Sequence, residues 1–322
     1  MPAYRAHLTI LLAAGLVALI GFNILAFIHA WSMLHFASAG VRTKPPEELS
    51  WSEKGALLVT GINLPRPVNT RTPADAFTTH HLQTTDGLNI EAWWVPAANA
   101  RAAVVLFHGY GGSKSELLDE AEAFRRLGCD TFLVDHRGHG GSAGTYTSIG
   151  FLEAEDVAAA VAYLRSNLAP HSPVILFGAS MGAVSVLRSL ATHELPVSGV
   201  VIESVYDTML NAVRNRFHSM GLPAFPFSEA LGFWGGVQMG FPCWQHNPAD
   251  YAAAVRVPVL MLHGEADPRA TLEQAQAVLA KLPRSSQLVV FPGLKHQSLE
   301  RGAPETWNQA VGAYVAHVAP TP

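Results

Sequence analysis

The sequence predicts an α/β protein built on a mostly parallel sheet with helices on both faces, and three observations predict it. Short apolar runs of strand character alternate with stretches of helical period from about residue 100 to the C-terminus. A Gly-x-Ser-x-Gly pentad, GASMG at residues 178–182, stands where one such run stops and a helical run begins. The 322-residue chain is 49% hydrophobic and 14% charged, enough apolar material for one large core and too apolar for a disordered chain.

In chain order, the first element is Leu8 to Ile28, an uncharged run, apolar apart from Thr9 and Asn23, and long enough to cross a bilayer as a helix. A secretory signal carries a shorter apolar run. Ala37-Ser38-Ala39 resembles a cleavage site, but the length of the run favours an uncleaved single-pass anchor within residues 1–40. Trp31, His35 and Phe36 follow it and suit a membrane interface. Arg5 precedes the span while Arg42 and Lys44 follow it, so the charge balance leaves either side of the membrane open for the remainder of the chain. Residues 41–76 hold Pro45, Pro46, Pro65, Pro67 and Pro73 with little periodicity, and read as a connecting segment.

The domain proper is expected over residues 77–318. HHLQTTDGLNIEAWWVP reads as a hairpin turning at Asp86-Gly87. RAAVVLF, DTFLVD, PVILFG, SGVVIES, VPVLMLHG and SQLVVF follow as strands, with helices around residues 113–127, 149–168, 181–192 and 271–282. Ser113 with Glu116, and Thr271 with Gln274, have the spacing of capping boxes. The alternation breaks at about residues 205–251, which read as an inserted cap. Its Phe225, Phe227, Phe233, Trp234, Phe241 and Trp244 suit either packing on the sheet edge or the lining of an apolar pocket.

Ser180 lies at the expected strand-to-helix turn, where Gly178 and Gly182 omit the Cβ atoms that would crowd the crossing. A second pentad, GGSAG at residues 140–144, lies in a glycine-rich polar run without a strand before it or a helix after it, so Ser142 reads as a loop serine. A serine hydroxyl is a weak nucleophile at neutral pH and needs a histidine to take its proton and a carboxylate to orient that histidine. His296, in FPGLKHQSL, and Asp267, in MLHGEADPRA, each follow a strand, so in a parallel sheet they share one edge with Ser180. The backbone N–H groups of Tyr110, in LFHGYGGS, and of Met181, just after the serine, are candidate oxyanion donors.

The net charge of −4, without a dense Lys/Arg run, gives no footprint for nucleic acid. Fifteen histidines occur without metal-ligand spacing, so no metal site is expected, and serine chemistry of this kind needs no cofactor. Cys129 and Cys243 read as two free thiols.

The ordered set of hairpin, HGYGG, DHRGHGGS, GASMG, HGEAD and GLKH resembles the α/β-hydrolase superfamily, in particular the branch of monoglyceride lipases and serine aminopeptidase-like hydrolases, over roughly residues 77–318. The resemblance implies the α/β-hydrolase fold, with Ser180 as nucleophile, His296 as general base, Asp267 as orienting acid and Tyr110 and Met181 as oxyanion-hole amides. It favours Asp267, through its HGxxD context, over Glu203, Asp207 and Glu265. Glu203 and Asp207 are then expected to cap the first helix of the insertion or to face solvent. His108, His136 and His139 become loop-bracing groups. The expected activity is cleavage of a small-molecule or lipid-like ester, with a thioester second, through an acyl-serine. A serine peptidase or amidase, for which Glu229 is the one carboxylate deep in the insertion before Asp250, and a non-catalytic binding protein of the same fold are the alternatives.

Overall fold

The computed structural model describes residues 2–320. Its strands are β1 (Thr78–Gln83), β2 (Asn89–Val95), β3 (Ala102–Phe107), β4 (Cys129–Val134), β5 (Val174–Ala179), β6 (Gly199–Glu203), β7 (Val259–Gly264) and β8 (Gln287–Phe291). They form one sheet in the order β1-β2-β4-β3-β5-β6-β7-β8. The hairpin β1–β2 and the β2–β4 pair are antiparallel, and every pair from β4 to β8 is parallel. Continuous apolar runs such as AAVVLF and VILFGA suit this arrangement, because a central parallel strand is covered on both faces and has no polar side to present. Separate apolar clusters lie on the two faces of the sheet, one including Phe107, Leu176 and Val184, the other Phe124, Phe177 and Trp307.

The helices are α1 (Pro2–Leu34), α2 (Trp51–Thr60), α3 (Leu118–Arg126), α4 (Glu153–Asn167), α5 (Met181–Thr192), α6 (Met209–Ser219), α7 (Phe227–Met239), α8 (Pro248–Ala252), α9 (Leu272–Leu279), α10 (Leu299–Gly302) and α11 (Pro304–Val318). α9 starts at the expected capping box of Thr271 and Gln274. The one expected at Ser113 does not form. Residues 114–117 make a tighter 3₁₀ turn, and the Ser113 hydroxyl instead donates to the Val68 carbonyl at 3.3 Å.

The insertion folds as α6, α7 and α8. Of the six aromatic residues singled out in the sequence, Phe227, Phe233, Trp234 and Phe241 pack against other rings, while Phe225 and Trp244 stand exposed. Trp234 donates through Nε1 to Asn23 Oδ1 at 3.1 Å, Phe22 meets Phe227 and Phe27 meets Trp234 edge to face, and Phe241 stacks on Phe151. The second half of α1 is thereby held against α7. Earlier in α1 the apolar side chains stand free, with Leu11 69% and Val17 70% exposed. The stretch Arg5–Leu34 is long and apolar enough to cross a membrane, a test that a signal sequence also passes.

The segment after α1 departs most from expectation. Residues 41–76, which show little periodicity in sequence, contain α2, started by a capping box of Ser50 and Glu53. His35 and Phe36 face the protein: Phe36 packs edge-on against His139, its N–H donates to the Thr145 carbonyl at 3.0 Å, and the Thr147 N–H donates to the Leu34 carbonyl at 2.8 Å. Ala37 bonds to Leu64, and Arg66 reaches the carbonyls of Gly144, Gly140 and Ser142. The chain from the last turn of α1 to residue 66 is thus hydrogen-bonded into the body that follows.

Candidate active site

β5 stops at Ala179, and the turn into α5 places Ser180 at φ 52° and ψ −111°, a left-handed conformation that costs a non-glycine residue about 1–3 kcal/mol. The crossing is close. A Cβ on Gly178 would lie 2.5 Å from the Gly182 carbonyl oxygen, and one on Gly182 would fall on the carbonyl of Phe107. Both positions therefore need glycine. The Ser180 N–H donates to the carbonyl of Glu203, the last residue of the neighbouring strand, at 2.8 Å, which ties the strained turn to the sheet.

Ser180, His296 and Asp267 meet at this edge. Ser180 Oγ lies 3.0 Å from His296 Nε2, and His296 Nδ1 lies 2.7 Å from Asp267 Oδ2. Asp267 follows β7 and His296 follows β8, so neighbouring parallel strands deliver both. The other oxygen of Asp267 accepts the N–H groups of Arg269 (2.8 Å) and Ala270 (3.0 Å). Burial alone would raise this carboxyl, but the His296 contact and the two amides hold it below its ordinary value, so it is anionic. An anion accepting at Nδ1 fixes the imidazole as the Nδ1–H tautomer. Nε2 is then free to accept the serine proton.

Two backbone amides lie beside this turn. Met181 N–H opens α5 and Tyr110 N–H follows Gly109, whose Cβ would meet Ser180 Cβ at 3.5 Å. Among the described residues no group accepts a hydrogen bond from either N–H. The Tyr110 loop is braced by the N-terminal segment: Arg42 donates to the carbonyls of Gly111 (2.7 Å) and Tyr110 (3.3 Å), and the Tyr110 hydroxyl donates to the Met33 carbonyl. Sequence reading gave no sign of Arg42, because its partners lie 69 and 68 residues away.

A cavity of about 680 Å³ opens at Ser180 and His296. Met33 from α1, Leu57 from α2, and Met209, Val213, Arg216 and Phe217 from α6 line it, whereas none of the six aromatic residues singled out in the insertion does. α6 places residues 209, 213, 216 and 217 on one face, so the charge at Arg216, alone on an apolar stripe, was the available sequence signal.

Glu203 neither caps α6 nor faces solvent, contrary to expectation. It is buried at the end of β6, accepts from Trp307 Nε1 at 2.6 Å and lines the cavity. Burial and the nearby Glu120 carboxyl push it well above the usual carboxylate range. Asp207 does sit at the start of α6, accepting from Thr208 N–H and Asn211 Nδ2. Glu265 accepts from Gly293 N–H at 3.0 Å, while the two His296 nitrogens are bonded to Asp267 and Ser180. Glu229 pairs with Arg214 at 2.6 Å and does not line the cavity. The loop histidines are buried: His108 Nε2 accepts the His136 N–H, and burial lowers His139 to about 4. Ser142 is buried too, its hydroxyl accepting from Glu91 N–H and donating to the Asp135 carbonyl. Cys129 and Cys243 are free and buried, and the described residues hold no cluster able to ligate a metal.

Comparison with known proteins agrees with this architecture. The family model described as serine aminopeptidase, S33, matches residues 98–208, and that described as TAP-like protein matches residues 239–319. The solved structure of the esterase Pf2001 from Pyrococcus furiosus is similar with a TM-score of 0.68 at 24% identity, covering 80% of this chain and 98% of that one. The chain belongs to the α/β-hydrolase superfamily. Among curated relatives of this α/β-hydrolase, the monoacylglycerol lipase of Mycolicibacterium smegmatis is 25% identical over 236 residues, 63% of this chain and 84% of that protein. The uncharacterized protein YfhR of Escherichia coli K12 is 22% identical over 218 residues, 66% of this chain and 70% of that protein. Membership supports hydrolase activity of the esterase, lipase or peptidase kind. The two matched segments stop short of α1, α2 and Arg42 and leave out residues 209–238, which hold α6 and most of α7.

Proposed function

We propose that this α/β-hydrolase is a serine esterase, held at a membrane by an uncleaved helix through Leu8–Ile28, that cleaves a carboxylic ester through an acyl-Ser180 intermediate. The observation that carries the reading is the chain of contacts from Ser180 Oγ to His296 (3.0 Å) and from His296 to Asp267 (2.7 Å) at the mouth of a cavity. His296 Nε2 takes the hydroxyl proton as Oγ bonds to the ester carbonyl carbon, and the Asp267 anion stabilises the imidazolium that results. The developing oxyanion receives the Tyr110 and Met181 N–H groups, a contribution of about 2.7–4 kcal/mol per donor in comparable sites. His296 then returns its proton to the leaving alcohol. Water, deprotonated in turn by His296, releases the acid and regenerates Ser180.

A peptidase or amidase reading has one observation in its favour: Glu116, Glu120 and Glu203 line the cavity, and carboxylates could receive a free α-amino group. Burial raises all three carboxyls above their ordinary value, and Glu120 lies close enough to Glu203 to raise it further. Carboxyls pushed toward their neutral form, Glu120 to about 7 and Glu203 to about 8, are poor partners for an ammonium group, which favours the ester. The deciding experiment is labelling with a fluorophosphonate probe, together with a panel of 4-nitrophenyl esters and aminoacyl arylamides. Wild-type protein should label and cleave the esters, and Ser180→Ala should lose labelling and about 10⁶-fold in kcat. Turnover of arylamides but not esters would favour the peptidase; unlabelled, inactive wild-type protein would leave the binding-protein reading.

A further inference from the structure

The cations that line the cavity differ in how they are spent. Lys44 pairs with Glu53 at 2.8 Å and Arg269 with Glu47 at 2.7 Å, while Lys54 donates to the Met220 carbonyl and Arg42 to the carbonyls of Tyr110 and Gly111. Arg216 is spent on nothing of the kind. Among the described residues its guanidinium makes no hydrogen bond and no ion pair, and it lies over the ring of Tyr110, 5.4 Å from Cζ to the ring centre.

Its surroundings make that unusual. Arg216 is partly buried on the cavity face of α6, beside Met209, Val213 and Phe217. Desolvation is strong enough to push its guanidinium below the ordinary value. A guanidinium carries five N–H donors in a planar fork, and withdrawing it from water without an acceptor is unfavourable. The Tyr110 face orients the group, but a ring face accepts no fork of hydrogen bonds. The oxyanion of a carboxylate or a phosphate would match the fork bidentately. Tyr110 also fixes the place, since the residue whose ring supports Arg216 directly follows Gly109, which packs against Ser180.

Resting on the esterase reading above, we infer that Arg216 is an anion-recognising residue in the substrate cavity and that the ester cleaved carries an oxyanion, carboxylate or phosphate, a few bonds from its scissile carbonyl. The ester bond breaks as described for Ser180, and the anionic group is bound and released unchanged.

The test compares ester pairs that differ only in this charge. One pair is soluble: the 4-methylumbelliferyl monoester of adipic acid with a free carboxylate, and its methyl-capped counterpart. The other is lipid-borne: 1-oleoylglycerol 3-phosphate and 1-oleoylglycerol, both in neutral detergent micelles. For wild-type protein the anionic member of at least one pair should have a kcat/KM about tenfold to hundredfold the higher, and the pair showing it identifies carboxylate or phosphate as the group recognised. In Arg216→Gln that ratio should fall to near one, and Arg216→Lys should keep part of it. Raising ionic strength should lower the ratio in wild-type protein, a readout that needs no variant. A wild-type ratio at or below one in both pairs, or a ratio unchanged in Arg216→Gln, would overturn the inference and leave Arg216 as a brace for Tyr110. If wild-type protein cleaves no member of either pair, the esterase reading is what fails. The same pairs are then compared by calorimetric binding to Ser180→Ala, where equal affinity for the charged and capped members would overturn the anion site as well.

Discussion

The two walls of the cavity are built by different means. The wall carrying Ser180, His296 and Asp267 is backbone work: neighbouring parallel strands end at one edge, two glycines allow a helix to cross within van der Waals contact, and main-chain amides hold the acid. The opposite wall, from α1, α2 and α6, is joined to it by side chains reaching across the sequence, Arg42 to the Tyr110 loop and Tyr110 to Met33. The first wall can be disabled at single atoms. The second positions rather than reacts, so its loss should reach the reaction only through the groups it holds.

The largest effect that would sharpen this contrast belongs to the first wall. Asp267→Asn leaves the shape intact but favours the wrong imidazole tautomer, and should lower kcat by about 10⁴-fold on a short soluble ester. A smaller loss than Glu203→Gln causes would move the orienting acid to the end of β6. Next come two truncations. The triad and the sheet lie beyond residue 76, which suggests on sequence grounds that residues 1–40 are dispensable for small esters. The contacts of Met33, Leu34 and Phe36 argue otherwise. Deleting residues 2–20 should leave soluble-ester kcat within about twofold, while deleting residues 1–40 should lower it by roughly tenfold to hundredfold as the Tyr110 loop loses its brace. Arg42→Ala is the single-residue version, with a kcat loss of about tenfold and little change in KM. Equal activity of the two truncations would remove the second wall from the account.

A pH effect comes third. Because Glu203 is raised in the folded state, the native protein keeps a proton that the unfolded chain has released. Stability is therefore fully present at or below the ordinary carboxylate range and is lost as pH rises through neutrality toward the folded value. Glu203→Gln keeps an acceptor for Trp307 and cannot ionise. Its Tm should match that of wild-type protein near pH 5 and exceed it near pH 9, by roughly 2–4 °C for each kcal/mol of strain relieved. A gain that is the same at both pH values would refute the raised carboxyl. The smallest effect is expected at the second pentad: Ser142→Ala should leave labelling and turnover intact and cost about 1 kcal/mol in a denaturant melt, since its hydroxyl joins Glu91 to Asp135.

The difference between the walls also explains what could be read from the residues alone. GASMG between a strand run and a helix run specifies a turn whose geometry is local, and the two later motifs follow their own strands, so the edge where they meet can be read without coordinates. α2 is ten residues long, uncharged apart from Glu53 and Lys54, and set among prolines, so its period is too short to stand out. Glu203 closes a strand near where Asp267 follows one, and only its burial, its bond from Trp307 and the charge of Glu120 set it apart. The aromatic insertion has the composition of a pocket lining, yet only Phe217 of α6 among its phenylalanines and tryptophans lines the cavity, while Phe227 and Trp234 pack against α1, a pairing across some 200 residues with no local signature.

α1 runs unbroken for 33 residues, about 50 Å at 1.5 Å per residue. The apolar side chains from Leu8 to Val17 are exposed, and the near half of the helix is fastened to α7 and, through Met33, to Tyr110. A domain joined to its anchor by a flexible tether would tumble and present its opening to the bilayer for only a fraction of the time. Here no tether intervenes. With α1 set in a bilayer, the tilt of that helix is also the attitude of the cavity, so lipid thickness, which adjusts helix tilt, would steer the direction in which the opening points.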